Sequence, residues 1–128
     1  MQLEITSSSL KIVLIIYNFF TKIGFVRVLK HFMKTQQYIK TKLTELKPIL
    51  QQKYPVAAIA LFGSYARNEQ TEDSDVDVMI ELNGKIGIEF ITMANEIEDY
   101  LGIKTDVLTK RSMKPKFFAR IENSLIYV

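Results

Sequence analysis

The chain has 128 residues, a net charge of +3 and no cysteine. It is long enough for one domain with a modest core, and it excludes a disulfide framework, a thiolate metal site and a cysteine nucleophile. With 48% hydrophobic and 24% charged residues, it has the composition of an ordinary globular protein, for which the cytoplasm is the default location. The charge is segregated along the chain. Residues 1–60 hold nine Lys or Arg and two Glu, residues 61–109 hold three basic and eleven acidic residues, and residues 110–128 hold five and one, giving balances of +7, −8 and +4. An acidic centre suits a divalent cation, and basic flanks suit nucleotide phosphates, an acidic partner or nucleic acid.

Residues 1–32 read as an extension. The apolar run Ile12 to Phe20 is interrupted by Asn18 and bracketed by Lys11, Lys22 and Arg27; it is far shorter than the ~20 residues that span a bilayer. Glu4 stands where a secretory signal carries positive charge, and no small-residue cleavage site follows. The segment is expected to be an amphipathic or strand-like extension, and Met33 is an alternative start that leaves a self-contained domain over 33–128. The single His31 falls outside that domain, which argues against histidine acid–base chemistry.

From Thr35 to Lys53, Tyr38, Ile39, Leu43, Leu46, Ile49 and Leu50 recur at three- and four-residue intervals and predict a helix, kinked or split at Pro48. Val56 to Phe62 is a nearly continuous apolar run suited to a buried strand. A short helix is expected from about Tyr65, then a loop through the acidic pair Glu72-Asp73, then a strand over Val76 to Leu82. Asn83-Gly84-Lys85 is a turn signal. Ile88, Ile91, Ala94, Ile97, Glu98 and Leu101 carry a helical period that Gly102 closes. Ile103 to Leu108 follows as a strand, and the strand–helix–strand succession implies a right-handed crossover with parallel pairing. Pro115 to Ile121 predicts a short helix and Leu125 to Val128 a terminal apolar segment. The fold class is therefore α/β (α+β), with a small mixed sheet of three or four strands and helices packed on it.

The chemistry gathers between Leu61 and Val78. Asp75 and Asp77 are two apart at the head of a strand, so their side chains share a face, with Cα atoms roughly 6.6 to 7 Å apart. Val76 and Val78 then face the core. Two such carboxylates repel unless a cation sits between them, and hard oxygen ligands suit Mg²⁺, which fills its remaining positions with water and phosphate oxygens. Gly63-Ser64 leaves the preceding strand where a backbone without a Cβ approaches a phosphate closely and donates to its oxygens. Arg67 suits a charge-assisted phosphate contact or an ion pair with Glu69 or Asp73. Asp106, near the end of the later strand, is by itself a weak signal, since an aspartate there is more commonly a turn residue than a ligand.

Gly63-Ser64, ten residues, Asp75-Val76-Asp77 resembles the active-site signature of the polymerase-β-like nucleotidyltransferases. Gly63-Ser64-Tyr65-Ala66-Arg67 resembles its minimal, or MNT, branch over about Lys40 to Val128. Asn68 stands where that branch often has glycine, and asparagine tolerates the left-handed backbone. The resemblance implies a polymerase-β-like fold and transfer of a nucleoside monophosphate from a triphosphate, ATP, to a hydroxyl. It implies two Mg²⁺ ions on Asp75, Asp77 and Asp106, and a triphosphate held by Gly63, Ser64 and Arg67. A free-standing domain of this size resembles the antitoxin of HEPN/MNT toxin–antitoxin pairs, which adenylylates a tyrosine of its HEPN-type toxin partner. Binding-only antitoxin action by occlusion and transfer to a small-molecule hydroxyl are the competing readings. Direct nucleic-acid binding and membrane association are not expected, and a homo- or hetero-oligomer is consistent with an acceptor supplied by another chain.

Overall fold

The computed structural model describes residues 7–128. The chain divides into two units, Met1–Met33 and Lys34–Val128. The first contains α1 (Ser7–Ile23) and α2 (Phe25–Met33), separated at Gly24, whose φ of 81° lies in the left-handed region. A strand-like extension is therefore ruled out over the described residues: the segment is helical, and no described helix is long and apolar enough to cross a membrane.

The second unit opens with α3 (Gln36–Lys53), capped by the Thr35 hydroxyl, which accepts from the Tyr38 amide. Ile39, Leu43, Leu46 and Leu50, spaced four, three and four apart, bury one stripe of it. Pro48 lies on the exposed side, and the helix is not split there as the sequence suggested. Then follow β1 (Val56–Phe62), the four-residue α4 (Gly63–Ala66), β2 (Val76–Leu82), α5 (Glu89–Leu101), β3 (Thr105–Thr109), a 3₁₀ turn at Lys110–Ser112, α6 (Pro115–Ile121), a 3₁₀ turn at Glu122–Ser124, and the two-residue β4 (Ile126–Tyr127). Gly102, at φ 69°, ends α5 in the left-handed conformation and donates its amide to the Glu98 carbonyl.

The four strands form one mixed sheet in the order β3-β2-β1-β4. β1 runs antiparallel to both β2 and β4, while β2 and β3 are parallel across the α5 crossover. Alternation along the strands divides the side chains between two faces. Ile59, Leu61, Val76, Val78 and Ile80 turn toward α3 and α5, where they join Leu43, Leu46, Met93, Ile97 and Leu101 in the main core. Ala60, Phe62 and Met79 turn to the other face, where they meet Ile121 of α6 and the partly buried Phe117 and Phe118. The Phe62 and Phe117 rings meet edge to face, 6.0 Å between centroids.

In α5 the buried stripe is Met93, Ile97 and Leu101. Ile88 and Ile91, which the sequence placed in the same period, stand 80% and 60% exposed. Ile88 precedes the first helical residue, and Ile91 falls between Phe90 and Met93 on the opposite side of the turn.

Candidate active site

The face with the smaller core carries the acidic residues. Phe62 pairs with Asp77 across β1 and β2, and Asp77 pairs with Asp106 across β2 and β3. In a parallel ladder such partners present their side chains on the same face. The main core fixes this register, because Val76 and Val78 are fully buried on the other side and a one-residue slip would expose them. Asp106 is thus beside Asp77 rather than across the sheet from it.

Gly63 closes the end of this row. Its φ is 72°, and a Cβ built there would collide with the Asp77 carboxylate. Only glycine lets the chain leave β1 hard against Asp77. Ser64 follows, half-buried in α4, with its carbonyl accepting from the Glu69 amide at 2.9 Å. Asn68 has a φ of 56°, so it takes up the left-handed conformation expected of it. Arg67 is exposed and donates from Nε to Glu69 at 3.0 Å, the ion-pair alternative read from the sequence.

Several side chains that the Gly63 to Asp77 signature does not specify hold this turn, the loop and the neighbouring edge strand. Gln36 donates to the carbonyls of Tyr65 and Ala66 at 2.9 and 3.0 Å. Gln70 donates to the Lys34 carbonyl, and the Lys34 ammonium donates to the backbone and carboxylate of Glu72. The Ser74 hydroxyl accepts from the Thr71 amide at 2.8 Å just before Asp75. Across the sheet, the Glu98 carboxylate accepts from the Thr105 amide at 3.0 Å, next to Asp106 on the edge strand. These partners lie between three and 38 residues apart in sequence, and no local motif marks the distant ones.

The electrostatics reflect the crowding. Burial, and then the neighbouring charges of Asp106 and Asp75, push the Asp77 carboxyl up from 3.8 to about 6, against an opposing pull from Arg67. Tyr65, fully buried beneath the turn, has its phenol pushed upward by burial and by Glu72 and Asp75. Asp75 is ion-paired to Lys104, with Nζ 3.6 Å from Oδ2. As the side chains stand, no three acidic or histidine groups among the described residues are gathered into a metal-holding cluster. The donor set nevertheless fits a hard cation. Three carboxylates share one sheet face, and their mutual repulsion is the kind that a divalent ion relieves. Asp75, Asp77 and Asp106 are the residues that would hold it.

A strand leading through glycine and serine to a short helix, set against paired carboxylates on the next two strands, is an arrangement for handling phosphate. A family model for the nucleotidyltransferase domain matches residues 43–128. The chain belongs to this nucleotidyltransferase family. A candidate protein adenylyltransferase of Methanocaldococcus jannaschii is 46% identical to this nucleotidyltransferase over 100 residues, covering 75% of this chain and 100% of its own length. Protein adenylyltransferase MntA of Thermococcus cleftensis is 33% identical over 97 residues, covering 75% of this chain and 98% of its own.

Two solved structures share the fold. A candidate minimal nucleotidyltransferase superposes with a TM-score of 0.61 at 21% identity, over 72% of this chain and 94% of that one. The complex of a tri-AMPylated Shewanella oneidensis HEPN toxin with its MNT antitoxin superposes with a TM-score of 0.54 at 21% identity, over 73% and 71% of the respective chains. The fold is therefore the polymerase-β-like one that the Gly63 to Asp77 signature implied, and the protein is a nucleotidyltransferase acting on a nucleotide substrate.

Proposed function

We propose that the chain transfers AMP from ATP to a tyrosine hydroxyl of a partner HEPN-type toxin, and so acts as its antitoxin. The observation that carries this reading is the pairing of Asp77 with Asp106 on the sheet face that Gly63 adjoins. The relatives named protein adenylyltransferases support the choice of AMP and of a protein acceptor. In this reading Asp75, Asp77 and Asp106 hold Mg²⁺, which when bound offsets the charge that develops on the phosphoryl oxygens.

The chain's own residues position the reactants. The turn at Gly63 and Ser64 places backbone amides and a hydroxyl against the triphosphate, and Arg67, released from Glu69, reaches its outer oxygens. The tyrosine oxygen bonds to the α-phosphorus as the bond to the β-phosphate oxygen breaks, and pyrophosphate leaves. Asp106, exposed at the sheet edge, takes the phenolic proton. Most of the rate enhancement then comes from positioning and electrostatics. The catalytic unit is Lys34–Val128, and α1 and α2 belong to an extension preceding it.

The test is intact-mass spectrometry of a cognate HEPN toxin after incubation with the protein, ATP and Mg²⁺. One or more added AMP units are expected with the wild type and none with the Asp75→Asn, Asp77→Asn double variant. A toxin neutralised but unmodified, and protected equally by the double variant, would establish occlusion instead. Transfer to a small molecule with the toxin untouched would establish the third reading.

A further inference from the structure

Lys104 has no part in the signature read from the sequence, yet the sheet builds it into the site. Val76 pairs with Thr105 and Asp77 with Asp106 in the parallel ladder. The Val76 amide donates to the Lys104 carbonyl at 3.0 Å, which carries the ladder one residue further and places Asp75 alongside Lys104. Alternation puts residues 104 and 106 on one face with residues 75 and 77. The array is therefore three carboxylates and one ammonium, and the ammonium lies 3.6 Å from Oδ2 of Asp75.

We propose that Lys104 is a tethered counter-ion that holds Asp75 in the metal-free protein and is displaced when a divalent cation binds. The inference rests on the metal-site reading given above and adds a competitor to it. Lys104 engages one of the three carboxylates directly, and among the described residues no three acidic groups are gathered into a metal-holding cluster. The Lys104 side chain is 74% exposed, so the pair is of the weakly stabilising surface kind. That strength suits the role: it offsets one of three negative charges, yet a divalent ion, carrying twice the charge of an ammonium, would overcome it. The four-carbon stem lets the ammonium swing to solvent, or toward bound phosphates, without moving the strand.

The experiment is Mn²⁺ binding to the nucleotide-free full chain, read from the free-ion signal in electron paramagnetic resonance. Lys104→Met should bind Mn²⁺ about two- to fivefold more tightly than wild type, the range an exposed ion pair spans. Lys85→Met, which removes the same charge from the loop beyond the other end of β2, should change affinity by less. In an Asp75→Asn background the effect of Lys104→Met should vanish, which a general change in net charge or an indirect loss of structure would not produce. Equal affinity for wild type and Lys104→Met, or an effect that survives Asp75→Asn, would overturn the proposal while leaving the metal site in place. Absence of Mn²⁺ binding in every variant would overturn the metal reading and this inference together.

Discussion

Asp77 is a side chain the fold holds at a loss, and replacing it should make the protein more stable. Burial and the charges of Asp106 and Asp75 push its carboxyl from 3.8 to about 6. Ionising it in the folded state is therefore disfavoured by about two pKa units, roughly 3 kcal/mol at 1.36 kcal/mol per unit. Screening by water at this half-buried position reduces that to about 1–2 kcal/mol. Asp77→Asn keeps the shape that packs against Gly63 and removes the charge. In chelator at pH 8 it should raise the melting temperature by about 5–10 °C for a domain of this size.

The pH dependence gives the sign. A raised acid pKa means that the folded state binds the proton more tightly than the unfolded chain. The destabilisation is present in full above the folded pKa of about 6 and disappears as pH falls through the unfolded value near 4. Wild type should therefore gain on the variant mainly between about pH 6 and pH 4, and the two curves should converge near pH 4. Mg²⁺ should stabilise wild type more than the variant. Differential scanning calorimetry across this range is the assay. A variant that melts at or below wild type at pH 8, or a gap that persists unchanged to pH 4, would refute the electrostatic account.

Gly63→Ala should lose about 1–3 kcal/mol in urea denaturation and most of the activity, because the new Cβ meets the Asp77 carboxylate and the left-handed backbone at φ 72° is strained for any L side chain. Glu98→Ala leaves the Thr105 amide without its acceptor. It should cost about 1 kcal/mol and lower kcat more than it raises the KM for ATP, and Glu98→Gln should recover most of the stability but less of the rate. A chain beginning at Met33 should melt in one cooperative transition and keep the activity, since the core and the site lie within Lys34–Val128; loss of that transition in circular dichroism would show that α1 or α2 belongs to the core.

The strands were legible because apolar runs bounded by turns have few alternatives. Val56–Phe62 and Val76–Leu82 begin and end where the residues suggested, and so does α6. The glycine–serine and paired-aspartate pattern was legible as spacing, Gly63-Ser64 to Asp75-x-Asp77. Asp106 was not legible by itself: its face depends on the pairing of Val76 with Thr105, a contact across a crossover helix. For the same reason the contacts of Gln36, Glu98 and Lys104 were not legible, since each acts on a backbone group or carboxylate brought close only by folding. The strand-like alternative for the N-terminal extension failed because Val13, Ile15 and Ile16, β-branched though they are, lie within a helical run from Ser7 to Ile23.

The two faces of the sheet divide stability from chemistry. The face toward α3 and α5 holds the fully buried Ile59, Leu61, Val78, Ile80, Met93, Ile97 and Leu101, each contributing roughly 1.5–3 kcal/mol on burial. Among the described residues, the opposite face buries only Ala60, Phe62, Met79 and Ile121, and the acidic row occupies its end. Strand alternation places every second residue of β2 on one job or the other, so Val76 and Val78 fix the register that aligns Asp77 with Asp106. Repulsion within the acidic row can therefore persist without unfolding the protein, because the packing that opposes it lies on the far side of the same strand. Substitutions at Val76 or Val78 should disturb fold and site together, whereas those at Asp75, Asp77 or Asp106 should remove activity from a domain that remains folded.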